Sequence, residues 1–223
     1  MVALTWDQVG ERTYENGVDH GVLYLADGTG AYNSGFSWNG LVTVTESPSG
    51  AESNPQYADN IKYLDLKSAE EFGATIEAFT YPDEFAECDG TVSPKVGVNV
   101  GQQPRRSFGL SYRTKVGNDL NANAGYKLHL VYGATAAPSE KAYGTVNDSP
   151  EALTFSWELT TSPVQVTGLG PTAILTIDST KVAAADLASL EALLYGDVDQ
   201  EPELPMPDDV IALFTDGTAP VTP

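Results

Sequence analysis

The stretch Glu70–Lys115 reads 70-EEFGATIEAFTYPDEFAECDG-90, 91-TVSPKVGVNVGQQPRR-106 and 107-SFGLSYRTK-115, and its patterning decides the fold class. In the first segment Phe72, Ala74, Ile76 and Ala78 fall on one face, and Glu71, Gly73, Thr75 and Glu77 on the other. That is the period of two that a pleated strand imposes. In the last segment Phe108, Leu110, Tyr112 and Thr114 oppose Ser107, Gly109, Ser111, Arg113 and Lys115. Between these strands Pro82 opens the turn PDEFAEC, where Asp83 and Glu84 suit the positive end of a single helical turn. Gly90–Arg106 reads as a long flexible loop.

Working outward, GVLYLADGTGAYNSG from Gly21 predicts a strand and a Gly-rich turn through Asp27, Gly28 and Gly30. Further strands are predicted at Leu41–Glu46, Ile61–Lys67, Tyr126–Ala134, Leu153–Thr161 and Thr172–Asp178. In the fourth of these segments, Leu153, Phe155, Trp157 and Leu159 alternate with Thr154, Ser156, Glu158 and Thr160. ESPSGAESNPQYADN, residues 46–60, reads as a loop that is long for a compact domain and therefore functional or mobile. Val182–Tyr195 places Leu187, Leu190 and Leu194 at helical spacing before Gly196, and Pro207 opens a second short helix through Phe214. The expected organisation is an N-terminal arm (1–20) anchored by Trp6, a β domain (21–178), a helical segment with an acidic Pro-rich linker (179–214), and a disordered tail (215–223). The expected class is mainly β, a sandwich or partly closed barrel, because open antiparallel sheets need their edges paired or covered.

With 31 acidic and 11 basic residues the formal charge is −20, which argues against tight binding to phosphate. Cys88 is the single cysteine, so no intrachain disulfide is possible. No basic segment followed by an apolar run opens the chain, and no run of apolar residues is long enough to span a membrane, so neither a signal peptide nor a membrane partner is expected.

Candidate chemistry is sparse. His20 and His129 stand outside any metal-ligand spacing, and His129 is read as a residue on the polar face of its strand. Asp197, Asp199, Glu201 and Glu203 alternate like a calcium loop, but Pro202 takes the position that requires Gly, so an acidic linker is the better reading. Gly28-Thr29-Gly30 is a hairpin turn rather than a dinucleotide fingerprint. Cys88 reads as a half-buried small residue. No catalytic residue, cofactor or metal is expected. Arg105 and Arg106 form a charge pair at the foot of the long loop, read as solvated charges on their own and, in a self-assembling acidic protein, as a pair that meets Glu70, Glu71, Asp83 or Glu84 of a neighbouring copy.

Together with GYKLHLVYGATAAPSEKAY from Gly125, NDSPEALTFSWELTTSP from Asn147, WNGLVTVTESPSGAE from Trp38 and YADNIKYLDL from Tyr57, these strings resemble the major tail proteins of long-tailed actinobacteriophages. The resemblance runs from about Leu4 to Phe214 and rests on wording rather than on a catalytic signature. It implies a non-enzymatic virion protein of the phage tail-tube type, assembled in the host cytoplasm. It further implies hexameric rings stacked into a tube around a tape-measure protein, met at the ends by tail terminator and distal tail proteins, with DNA only in transit. On that reading Trp6, Ser49, Glu52, Asn54, Arg105 and Arg106 are candidate inter-subunit contacts. Glu71, Glu77, Thr154, Ser156 and Glu158 are candidate lumen residues, since a wall without cations does not hold phosphates. The rival reading is a virion decoration or receptor- or glycan-binding β module.

Overall fold

The computed structural model describes residues 3–146, 148 and 152–214. The strands are β1 (Tyr14–Leu25), β2 (Gly35–Trp38), β3 (Leu41–Glu46), β4 (Ser49–Gly50), β5 (Ser53–Ala58), β6 (Ile61–Lys67), β7 (Glu70–Glu71), β8 (Gly73–Ala78), β9 (Val92–Lys95), β10 (Val98–Val100), β11 (Phe108–Gly117), β12 (Gly125–Ala136), β13 (Phe155–Thr161) and β14 (Ile174–Asp178). The helices are a 3-10 turn at Asp83–Glu87, α1 (Ala184–Tyr195) and α2 (Pro207–Leu213). The chain is mainly β, as its alternation predicts, with one large antiparallel sheet, two short α-helices and no closed barrel.

The main sheet runs β2-β1-β11-β12-β13-β8-β3, with β14 added beside β12. Its two end strands, β2 and β3, are joined only by Asn39 and Gly40, so the sheet curls until its ends share a corner. Leu41 then lies so close over Gly21 that a Cβ there would stand 2.4 Å from it. Inside the curl sits an aromatic core. Trp38, Phe85, Phe108 and Trp157 are buried, with Phe85 ring centroids 4.6 Å from Trp38, 5.1 Å from Trp157 and 5.5 Å from Phe108. Such tilted aromatic pairs add to the burial of their large apolar surfaces. Phe85 belongs to the predicted turn after Pro82, which forms as a 3-10 helix and drops that ring into the core.

The opposite face of β1, β11, β12 and β14 is also buried, beneath α1 and α2. Leu187, Leu190 and Leu194 of α1 meet Val22, Tyr24, Leu128, Leu130 and Ile177. Gly109 and Ser111, which alternate with Phe108, Leu110 and Tyr112, are therefore covered as well. Ser111 bonds the Tyr24 hydroxyl at 3.2 Å, Tyr24 donates to the Leu194 carbonyl at 2.8 Å, and Leu204 fills the space that a side chain at Gly109 would need. The acidic linker is likewise docked: Leu204 is buried and its N–H donates to the Tyr32 carbonyl. At Gly133, with φ +60°, the alternation of β12 slips, so Tyr132 serves the helical side while Ala134 and Ala136 enter the aromatic core. Only glycine takes that backbone conformation cheaply.

Several boundaries differ from expectation. β1 begins at Tyr14, inside the arm, because Tyr14, Glu15 and Asn16 pair with Gly117, Val116 and Lys115. The predicted strand at Leu153 starts at Phe155, and Leu153 is exposed. Residues 46–60 are not a plain loop but hold β4 and β5, and residues 90–106 hold the β9–β10 hairpin. The first was hidden because Asp59 and Asn60, both at positive φ, supply a tight hairpin turn without glycine. Cys88 is fully buried rather than half-buried, and burial pushes its thiol up to about 12. The tail expected at 215–223 lies outside the described residues.

Candidate assembly surfaces

β3 and β8 are neighbours in the sheet, and the chain between them leaves it as a ribbon. Ser49 and Gly50 pair with Glu71 and Glu70, then Ser53–Ala58 pair with Ile61–Lys67 up to the Asp59–Asn60 turn. Of β5 and β6 only Pro55 is even half-buried. At about 3.3 Å per residue, the ribbon reaches at most on the order of 40 Å beyond β3. The Asn54↔Leu66, Gln56↔Leu64 and Ala58↔Ile61 pairs put three aliphatic side chains into solvent, with Ile61 at 61%, Leu64 at 40% and Leu66 at 56% exposure. The other side carries Tyr57, 71% exposed, beside a polar cluster in which Ser53 and Lys62 both donate to Asp65, each at 2.6 Å. The candidates Ser49, Glu52 and Asn54 all lie at the root of this arm and are exposed.

A second hairpin, β9–β10, turns at Gly97 (φ +77°) and exposes Val92, Val98 and Val100. Its foot is where Arg105 and Arg106 sit. Arg105 donates to Asp89 at 3.3 Å and to the Ala136 carbonyl at 3.0 Å; Arg106 donates to the Ala26 carbonyl at 2.8 Å and to Glu87 at 2.9 Å. Both guanidiniums thus bind their own chain. A neighbour's carboxylate would have to compete with these partners, and the acidic groups named from the sequence are not among them. Trp6 is 73% exposed on the N-terminal segment beside exposed Leu4 and Val9. Gly10 ties that segment to the β11–β12 connection, its N–H donating to Asp119 at 2.9 Å and its carbonyl accepting from Asn118 at 3.1 Å.

The outer face of β3, β8 and β13 carries none of the helical layer's core. Sheet register aligns Thr43, Glu77 and Ser156 in one row and Thr45, Thr75 and Glu158 in the next. Thr43 donates to Glu77 at 3.1 Å. The structure thus brings Glu77, Ser156 and Glu158 together, with Thr154 one step before β13. Glu71 stands apart on β7 at the root of the arm. These three strands contain no Lys or Arg. The resulting face bears hydroxyls and two carboxylates.

His129 corrects the reading of a polar-face histidine. It is buried and stacked on Tyr112, Nε2 lies 3.0 Å from Thr114 Oγ1, and Nδ1 lies 3.4 Å from Glu46 Oε1, which also accepts the Tyr112 hydroxyl at 2.8 Å. Burial holds its pKa below the ordinary value despite the Glu46 and Glu15 charges. The sequence signal for this tie is Glu46, the acid that ends β3. Among the described residues no group of three His, Cys, Asp or Glu side chains is placed to hold a metal, and no helix is long and apolar enough to cross a membrane.

No protein-family model matches the chain, and no curated protein matches it. Among solved structures, a chain of the 6-fold symmetrised anti-feeding prophage baseplate aligns at 9% identity and TM-score 0.36, over 78% of this chain and 97% of that one. A chain of the anti-feeding prophage tube terminating cap aligns at 11% identity and TM-score 0.32, over 80% and 96%. A chain of the extended PVC sheath-tube complex, an extracellular contractile injection system, aligns at 10% identity and TM-score 0.31, over 71% and 88%. At these TM-scores the likeness carries no argument about this chain.

Proposed function

We propose that this chain is a structural subunit of a phage tail tube, assembling with its own copies into stacked, hexameric rings that conduct DNA during ejection. The observation that carries the reading is the β5–β6 arm. A ribbon that leaves the body with both faces in solvent and aliphatic side chains on one of them is costly for an isolated subunit. The cost disappears when a neighbouring copy covers it, and in a closed ring every arm meets an equivalent surface. The end strands β2 and β3, and β14 paired on β12, offer further joints of the same kind.

The cation-free face of β3, β8 and β13 fits a lumen wall, because phosphates find nothing there to exchange for their counterions. The sequence resemblance supports the same assignment and supplies the expected partners: a tape-measure protein within the tube, and terminator and distal tail proteins at its ends. Electron microscopy of the concentrated protein tests the reading. Rings or tubes with a central channel are the expected result; particles that remain single subunits at all concentrations, with no tube when the tape-measure protein is added, would favour the decoration or binding module instead.

A further inference from the structure

Within the connection between β12 and β13, Lys141 reaches back onto the body of the chain. Lys141 Nζ lies 2.5 Å from Asp89 Oδ2, 5.4 Å from the Tyr81 ring centroid, and 6.0 Å from those of Phe155 and Trp157. Asp89 is nearly buried and takes a second cation, Arg105, at 3.3 Å on its other oxygen. Burial works against the Lys141 charge, but the hydrogen bond and charge of Asp89 outweigh it and hold the ammonium above its ordinary pKa. Past this point Ala142–Val146 are exposed, including Tyr143 and Val146. The same lysine floors a cleft of about 390 Å³ whose far wall is the β9–β10 hairpin, through Ser93, Val96 and Asn99.

A carboxylate with three aromatic rings around one point is the arrangement that recognises an alkylammonium ion, by ion pairing and by the negative faces of the rings. We infer that Tyr81, Asp89, Phe155 and Trp157 form an ammonium receptor whose occupant is the chain's own Lys141, and that this latch fixes the β12–β13 connection on the body. Ring subunits must present the same loop surface to every neighbour, and an occupied receptor supplies a fixed point for it. The arrangement stands whether or not the chain builds a tube.

Lys141→Ala with chymotryptic cleavage after Tyr143 as readout tests the inference. Emptying the receptor should speed that cleavage by about tenfold through local release of the strap. Added n-butylammonium should restore protection in Lys141→Ala but not in the Asp89→Asn/Lys141→Ala double variant. Cleavage at the original rate, or loss of protection that n-butylammonium does not reverse, overturns the receptor. Should Lys141→Ala fail to fold, reductive methylation of the unaltered protein decides: Lys141 must react much more slowly than Lys67 and Lys95, and equal rates overturn the proposal.

Discussion

Tyr112 and His129, paired across β11 and β12, stack with ring centroids 4.7 Å apart and planes 5° from parallel, and Glu46 reaches the same spot from β3 at the other side of the curled sheet. The contact ties the last strand of the sheet path to its middle through a buried imidazole. Because burial lowers the folded-state pKa of His129, the unfolded chain takes up a proton first as pH falls. The His129 contribution is therefore complete above about pH 6.5 and is lost as pH drops through the window below it. Urea midpoints should fall between pH 7 and 5, and His129→Gln should flatten that slope; an unchanged slope would remove His129 as its source.

Arg105 is predicted to matter before any assembly occurs. Arg105→Ala leaves the nearly buried Asp89 with Lys141 as its remaining cation and the Ala136 carbonyl without this donor. The isolated subunit should lose about 2–3 kcal/mol of stability. A subunit that melts normally but fails to form rings would return Arg105 to the interface.

The arm should be dispensable for folding and necessary for assembly. Replacing residues 53–67 by a short Gly-Ser turn removes a ribbon with little contact to the body, so the midpoint of thermal unfolding should shift by no more than about 2 °C. Rings and tubes should not form. Ile61→Ser/Leu64→Ser/Leu66→Ser should act in the same direction, and normal tubes from that variant would assign the aliphatic side to solvent.

Charge on the bare sheet face should govern DNA retention. Tubes built from Glu77→Lys/Glu158→Lys subunits should hold DNA in a salt-dependent manner, because each added cation releases counterions on contact. The unaltered tube should not. Equal retention by both would place this face away from the channel.

Cys88 should be inert in the folded subunit. Its thiol is fully buried and raised to about 12, so almost no thiolate exists near neutral pH. Labelling by a thiol reagent at pH 8 should follow global unfolding, with no faster phase.

The strands at Glu70–Ala78 and Phe108–Lys115 were legible because one face of each repeats every two residues and the core selects that period. α1 and α2 were legible for a similar reason: leucines at helical spacing, Gly196 at one end and Pro207 at the start of the next helix. The arm was half legible. Its outgoing β5 carries Pro55, Gln56 and Asn54, residues that a strand seldom favours, and it forms because β6 pairs with it through a turn closed by Asp59 and Asn60.

The sequence by itself determined the mainly-β class, the helical end segment and a surface short of cations, because local periodicity and composition act without knowledge of neighbours. Only the tertiary structure decided that Gly109 and Ser111 are covered, that Arg105, Arg106 and Lys141 bind their own chain, and that Glu46 meets His129. Those outcomes depend on the curl of one sheet and the docking of the linker over it. Side chains far apart in sequence are brought within hydrogen-bonding distance there, where burial makes an unpaired charge costly and selects the partners.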